Sequence, residues 1–129
     1  MKVLDATFLI DYLDGVESTR EYLQRHGGEA FILPAPAYAE ALLGEGNGPG
    51  GDIAGVREDL SWGEVYAVDE QTAVTAAAIA NEIGPQGPFL SGMDALIAAV
   101  GRELDAPVVS TDRHLTHPAS KEVVDVEEY

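Results

Sequence analysis

Short apolar runs alternate with stretches of helical spacing along almost the whole chain, and that alternation leaves few folds open. Val3-Leu4, Ala30 to Leu33, Glu64 to Val68 and Pro107 to Ser110 read as strands, with Glu122 to Val126 as a last, edge strand. Between them the spacing turns helical. Phe8, Leu9, Tyr12 and Leu13 share one face, and Tyr22 and Leu23 point inward from a helix over Glu17 to His26. Tyr38, Ala39, Leu42 and Leu43 line a helix from Pro36 to Leu43, where proline fits the first turn. A short helix follows over Asp52 to Leu60, then an alanine-rich one from Asp69 or Glu70 to about Ile83. The last stripe is Met93, Leu96, Ile97, Val100 and Leu104. Strands joined through helices pair in parallel, and a parallel sheet is covered on both faces. The expected fold is therefore α/β: a three-layer α/β/α sandwich with a mainly parallel central sheet, one domain over 1–129. Gly44 to Gly51 reads as a flexible glycine loop, and without a lysine it is not a phosphate-binding P-loop.

The composition removes several classes of function. The chain has 129 residues, 46% of them hydrophobic, which is enough for a real core. It has no cysteine, so disulfides, thiolate metal sites and cysteine nucleophiles are excluded together. No apolar run approaches the roughly 20 residues needed to span a bilayer, and a start with one Lys that runs straight into Asp5 does not resemble a secretory signal. A cytoplasmic protein without a membrane partner is expected. The charge is the unusual feature: 23 acids against 7 Lys and Arg give a net −16. Such a surface repels nucleic acid at low ionic strength. It also suits a very salty cytoplasm, where the Debye length is about 3 Å at 1 M salt. The acids are spread over helix faces and the tail, which favours the halophilic-type reading.

Four of those acids recur at corresponding places. Asp5 ends the first strand, Glu40 lies on the helix after the second, Asp94 opens the late helix, and Asp112 stands just past the fourth strand. A parallel sheet gathers strand exits and the helix starts that follow them along one edge. Carboxylates crowded there repel and raise each other's pKa unless a cation lies between them. Mg²⁺ or Mn²⁺, hard ions that take oxygen ligands, are the natural partners, and both can assist phosphodiester hydrolysis. Each acid also has a structural reading. Asp5 fits a helix N-cap, Glu40 a solvated helix position, Asp94 the third residue behind Ser91, and Asp112 a turn. Only their shared placement favours a site. His26, His114 and His117 lack zinc spacing. Arg113 and His114 read either as surface turn residues or as contacts to a substrate phosphate. A receiver-like phosphoacceptor domain needs a lysine at a late strand end, and the only lysines are Lys2 and Lys121. A phosphatase of the haloacid dehalogenase class would carry Asp-x-Asp at the first strand, where this chain has Thr7.

The same segments resemble a known family. Leu4-Asp5-Ala6-Thr7 before an apolar helix is similar to the opening of PIN domains, small metal-dependent ribonucleases. Pro34-Ala-Pro-Ala-Tyr-Ala-Glu40, Asp94-Ala-Leu-Ile-Ala-Ala-Val100 and Val109-Ser-Thr-Asp112-Arg-His114 resemble its later acidic segments, in order and across essentially the whole chain. The compact size looks most like the VapC toxins of VapBC toxin–antitoxin pairs. Ala6 and Leu115 depart from the pattern, where Thr or Ser and an aromatic are common. The resemblance implies an endoribonuclease in which Asp5, Glu40, Asp94 and Asp112 are catalytic. Asp5, Asp94 and Asp112 would hold Mg²⁺ or Mn²⁺, with Glu40 acting through water and Thr7 and Thr111 in support. It further implies an RNA substrate, products with 5′-phosphate and 3′-hydroxyl ends, a VapB-like antitoxin presenting basic residues, and a homodimer. The alternative within the family is a catalytically weak or inactive PIN-like binding module acting through a protein partner.

Overall fold

The computed structural model describes all residues, Met1–Tyr129. Five strands form one sheet: β1 (Lys2–Leu4), β2 (Phe31–Pro34), β3 (Glu64–Tyr66), β4 (Val108–Val109) and β5 (Val126–Glu127). Their order is β3-β2-β1-β4-β5, and every pairing is parallel. Val3, Leu4, Leu33, Val108 and Val109 are fully buried, as strands covered on both faces require.

Seven helices flank the sheet in a three-layer α/β/α arrangement: α1 (Ala6–Leu13), α2 (Glu17–Arg25), α3 (Ala35–Gly46), α4 (Ile53–Asp59), α5 (Glu70–Ile83), α6 (Gly92–Leu104) and α7 (Pro118–Lys121). The helix α3 lies against β2 and β3, and α6 against β1 and β4. Gly101 lets α6 come that close, since a Cβ there would sit 2.7 Å from Cγ2 of Val108. The helix α5 packs on α6, while α1 packs on α2 and α3. No helix is long and apolar enough to cross a membrane.

Local chemistry opens the helices. Asp69 and Thr72 form a reciprocal capping box at α5, and Ser91 Oγ accepts the Asp94 N–H at α6 (3.1 Å). The structure differs from the sequence expectation at two places. The helix α3 continues to Gly46, so the glycine loop starts later than Gly44; its far end is held where Asp52 N–H donates to Glu45 Oε1 (3.0 Å). The last strand begins at Val126 and not at Glu122. Pro118 starts α7 there, with His117 Nδ1 accepting the Ala119 N–H (3.0 Å), and this turn takes up the chain that apolar content alone assigned to a strand.

The strand order has one consequence for ligands. The chain leaves β1 toward β2 on one side, and β4 pairs on the other. The crevice outside the carboxyl ends of β1 and β4 is thus the topological switch point, the position where open α/β sheets bind ligands.

Candidate active site

Asp5 stands directly after β1 and the Ser110–Asp112 segment directly after β4, on the two sides of that switch point. Asp5 is almost wholly buried, at 2% exposure. It caps α1, accepting the Phe8 N–H at Oδ1 (2.8 Å), and its other oxygen, Oδ2, accepts from the Ser110 hydroxyl. Ser110 Oγ in turn accepts the Asp112 N–H (2.9 Å). One buried hydroxyl therefore joins the exits of the two central strands. Asp112 folds its own loop as a turn residue, with Oδ1 accepting from the backbone N–H of His114 (2.8 Å) and Leu115 (3.2 Å). The capping and turn roles weighed for Asp5 and Asp112 are both present and leave each with one oxygen less committed to backbone.

Across the crevice, the first turn of α6 presents Asp94, half-buried like Asp112 and His114. Asp94, Asp112 and His114 each place one candidate ligand atom within 4.8 Å of the others. Asp5 lies close enough for both Asp94 and Asp112 to act on its charge. Burial pushes the Asp5 carboxyl up to about 6; Asp112 and Asp94 push the same way, against the hydrogen bonds from Ser110 and Phe8. Burial also raises Asp94, with Asp112 and Glu40 adding to it and His114 opposing.

No lysine or arginine relieves this crowding. The fold's ion pairs, Met1–Glu29, Lys2–Glu127, Arg102–Glu82 and Lys121–Glu128, all lie elsewhere. Arg113 is exposed and joins none of them. Two carboxylates and an imidazole within 4.8 Å of one another, with Asp5 close by but its two oxygens taken by Phe8 and Ser110, fit a divalent cation with oxygen preference and tolerance for one nitrogen.

The other sequence candidates sit further out. Glu40 is exposed on α3 and reaches the cluster only through its charge on Asp94. Thr7 and Thr111 are both exposed, and the hydroxyl that holds Asp5 belongs to Ser110. Sequence reasoning passed over Ser110 because a strand-end serine carries no spacing signal; its burial between two acids is a tertiary fact. His114, read as a turn residue or a substrate contact, stands among the candidate ligands.

A second concavity of about 400 Å³ opens between α1, α3 and α4. Its apolar floor is Ile10, Leu13, Ala41 and Val56, its rim Asp14, Glu45, Asp52 and Asp59, and none of the four site acids lines it.

What the crevice and sheet define together is an α/β domain with a carboxylate-lined crevice at its switch point. The PIN domain family model matches residues 2–121, and the chain belongs to that family. PIN domains are generally nucleases and usually use divalent metal ions. No curated protein sequence matches the chain. Among solved structures, a DNA-bound VapBC from Salmonella typhimurium is similar with a TM-score of 0.81 at 19% identity, covering 98% of this chain and 96% of that one. FitAcB from Neisseria gonorrhoeae gives 0.78 at 23% identity, covering 98% and 96%. VapBC2 from Rickettsia felis, bound to a promoter DNA fragment, gives 0.79 at 14% identity, covering 99% and 98%. At these identities the likeness is one of fold.

Proposed function

We propose that the chain is a Mg²⁺- or Mn²⁺-dependent endoribonuclease of VapC type, the toxin half of a toxin–antitoxin pair. The observation that carries the reading is the meeting of Asp94, Asp112 and His114 beside buried Asp5, with no lysine or arginine among them. In this reading Asp94 and Asp112 hold the ion, Asp5 completes the shell directly or through water, and His114 is a further ligand or a contact to the substrate phosphate. Once bound, the cation supplies an activated water and a counter-charge for phosphodiester oxygens. Ser110 and the Phe8 N–H hold Asp5 in one orientation, and the Leu115 and His114 amides do the same for Asp112. Glu40, exposed at the rim, orients water. Arg113, exposed and unpaired, meets the RNA backbone beside the cleft. An ion in the cleft also explains how a chain of net charge −16 approaches RNA at all, because it offsets the local acids where salt screens least.

The partner is a VapB-like antitoxin carrying basic residues toward the acidic cleft, and the acid-rimmed apolar groove offers such a segment a second foothold. The toxin works in the cytoplasm as a homodimer.

The test is cleavage of RNA by the purified chain with Mn²⁺ and with EDTA. Cleavage with Mn²⁺, lost in EDTA and reduced at least about 100-fold in Asp94→Asn, is expected from the loss of a ligand. Mn²⁺ binding without cleavage of any RNA would favour the binding-module alternative, and equal cleavage by wild type and Asp94→Asn would end the proposal.

A further inference from the structure

The α6 bank of the crevice carries a side chain that packing does not explain. Every other Phe, Tyr and Trp of the chain is buried or half-buried, whereas Phe89 is 78% exposed. Singly exposed aliphatic residues are ordinary on protein surfaces, and Leu43, Val65 and Val74 are examples here. Phe89 differs in chemistry and in place. Leu90 packs on the core, while the residue before it faces solvent. Ser91 then caps α6, its hydroxyl accepting the N–H of Asp94 (3.1 Å). Phe89 stands two residues ahead of that cap, and two residues span at most about 7 Å. The backbone that carries the ring is thereby held beside the first turn of α6. The ring leans toward Gly87, where an added Cβ would lie 4.0 Å from Phe89 Cδ2, and is otherwise open. The charge around it is also unusual. From Ile83 to Met93 no side chain is charged, in a chain of net charge −16. A polyanion repelled by the acidic surface meets no carboxylate from this segment.

We propose that Phe89 is a stacking platform for a base of single-stranded RNA, beside the phosphodiester that the carboxylate cluster cuts. The inference rests on the reading of the chain as an endoribonuclease. Every base has a π-face, so one aromatic ring grips an unpaired nucleotide whatever its identity. Bases inside a duplex are already stacked on each other, so the platform selects unpaired RNA. An acidic chain gains most from such a grip, because stacking is not an interaction that its net charge opposes. Arg113, exposed just past Asp112, stands on the opposite bank, so the strand is held on both sides of the cluster.

The experiment is cleavage kinetics with Mn²⁺ on a short single-stranded oligoribonucleotide and on copies that each carry one abasic position. Binding of the same RNA by anisotropy, Mn²⁺ calorimetry and light scattering accompany it. Phe89→Ala is expected to raise KM about 10-fold with kcat unchanged, the size of one lost base stack. Phe89→Trp is expected to retain the wild-type KM, and Phe89→Leu, apolar but without a π-face, to be as weak as Phe89→Ala. One abasic position beside the cut should cost wild type the same factor and Phe89→Ala nothing further. Mn²⁺ affinity should stay at the wild-type value in each variant. A wild-type KM in Phe89→Ala would overturn the platform alone. A wild-type KM in Phe89→Leu would reduce the ring to an apolar contact and overturn it too. Loss of a dimer in Phe89→Ala, with no abasic position sensitive in wild type, would assign the ring to a contact between copies and overturn the platform. A wild-type chain that binds Mn²⁺ but neither cuts nor binds RNA would overturn the nuclease reading, and the platform with it.

Discussion

Two regions of this molecule hold carboxylates away from water, and they are built in opposite ways. At Glu127, burial pushes the carboxyl up, but hydrogen bonds from the Lys2 ammonium (2.6 Å) and the Tyr22 hydroxyl (2.8 Å) more than reverse it and hold it below the ordinary range. At Asp5, burial pushes the carboxyl up to about 6 and the nearest charges are Asp112 and Asp94, which push further. The first region is electrically complete. The second is left short of positive charge in a fold that has cations elsewhere, and stability alone gives no reason for that. The proposed cation site accounts for the contrast, because an ion from solution would supply what the chain omits there.

The largest effect that tests this contrast is the pH dependence of stability without metal. The ordinary aspartate value is 3.8 and the folded Asp5 value about 6, a gap of about 3 kcal/mol for this buried group. The folded chain holds this proton more tightly than the unfolded one. Asp5 therefore contributes most below pH 3.8 and loses that contribution as pH rises through about 6. Glu127 has the reverse sign: its contribution is present above its ordinary 4.5 and is lost only as pH falls below that. Between pH 5 and 7, then, stability in EDTA is expected to fall, by denaturant unfolding, and the fall is expected to shrink sharply in Asp5→Asn, with Asp94, raised in the same direction, supplying what is left. A flat wild-type profile would remove the contrast.

Divalent metal should close the same gap from the other side. At about a hundred times its Kd, Mn²⁺ is expected to stabilise the fold by about 2.7 kcal/mol. The gain should be greater at pH 7 than at pH 5, because protons compete for Asp5 and Asp94. Equal stabilisation of wild type and an Asp94→Asn, Asp112→Asn double variant would place the ion elsewhere.

Ser110→Ala probes the link between the two strand exits. It leaves Asp5 Oδ2 and the Asp112 N–H without their shared partner and is expected to cost about 1–3 kcal/mol. The Ser110 hydrogen bond lowers the Asp5 value, so its loss should also move the Asp5 midpoint above 6. Destabilisation with an unmoved midpoint would mean that the serine only packs.

What could be read in advance follows from how each residue is placed. Asp5 and Asp112 follow apolar runs, and a parallel sheet puts all strand exits on one edge whatever the details of packing. Asp94 is carried by the helix stripe that begins beside it. Their convergence thus needs only the layer architecture. Ser110, His114 and Tyr129 are different. Ser110 and His114 bracket Asp112, and which of them faces the crevice depends on a turn closed by Asp112 itself. Tyr129 reaches α1 across 118 positions of sequence, a contact no local pattern encodes. The late start of β5 has a similar origin, since Val123 and Val124 are apolar but follow α7 into a turn bonded back to Ser120.

The smallest expected effect lies at the complete region. Lys2 is 12% exposed at its side chain and Glu127 34%, so their pair is partly screened, and a Lys2→Met, Glu127→Gln cycle is expected to give a coupling of about 1 kcal/mol or less. Molar KCl should shrink that coupling further, because the Debye length falls to about 3 Å. The same salt should raise the unfolding temperature of both wild type and variant, since it screens the repulsion of a surface carrying net −16. The Asp5 slope between pH 5 and 7 should survive, because desolvation, its first cause, is not a charge that salt can screen. If KCl instead erased the Asp5 slope and left the Lys2–Glu127 coupling intact, the regions would have to exchange roles, with the crevice governed by exposed surface charge and the ion pair by burial.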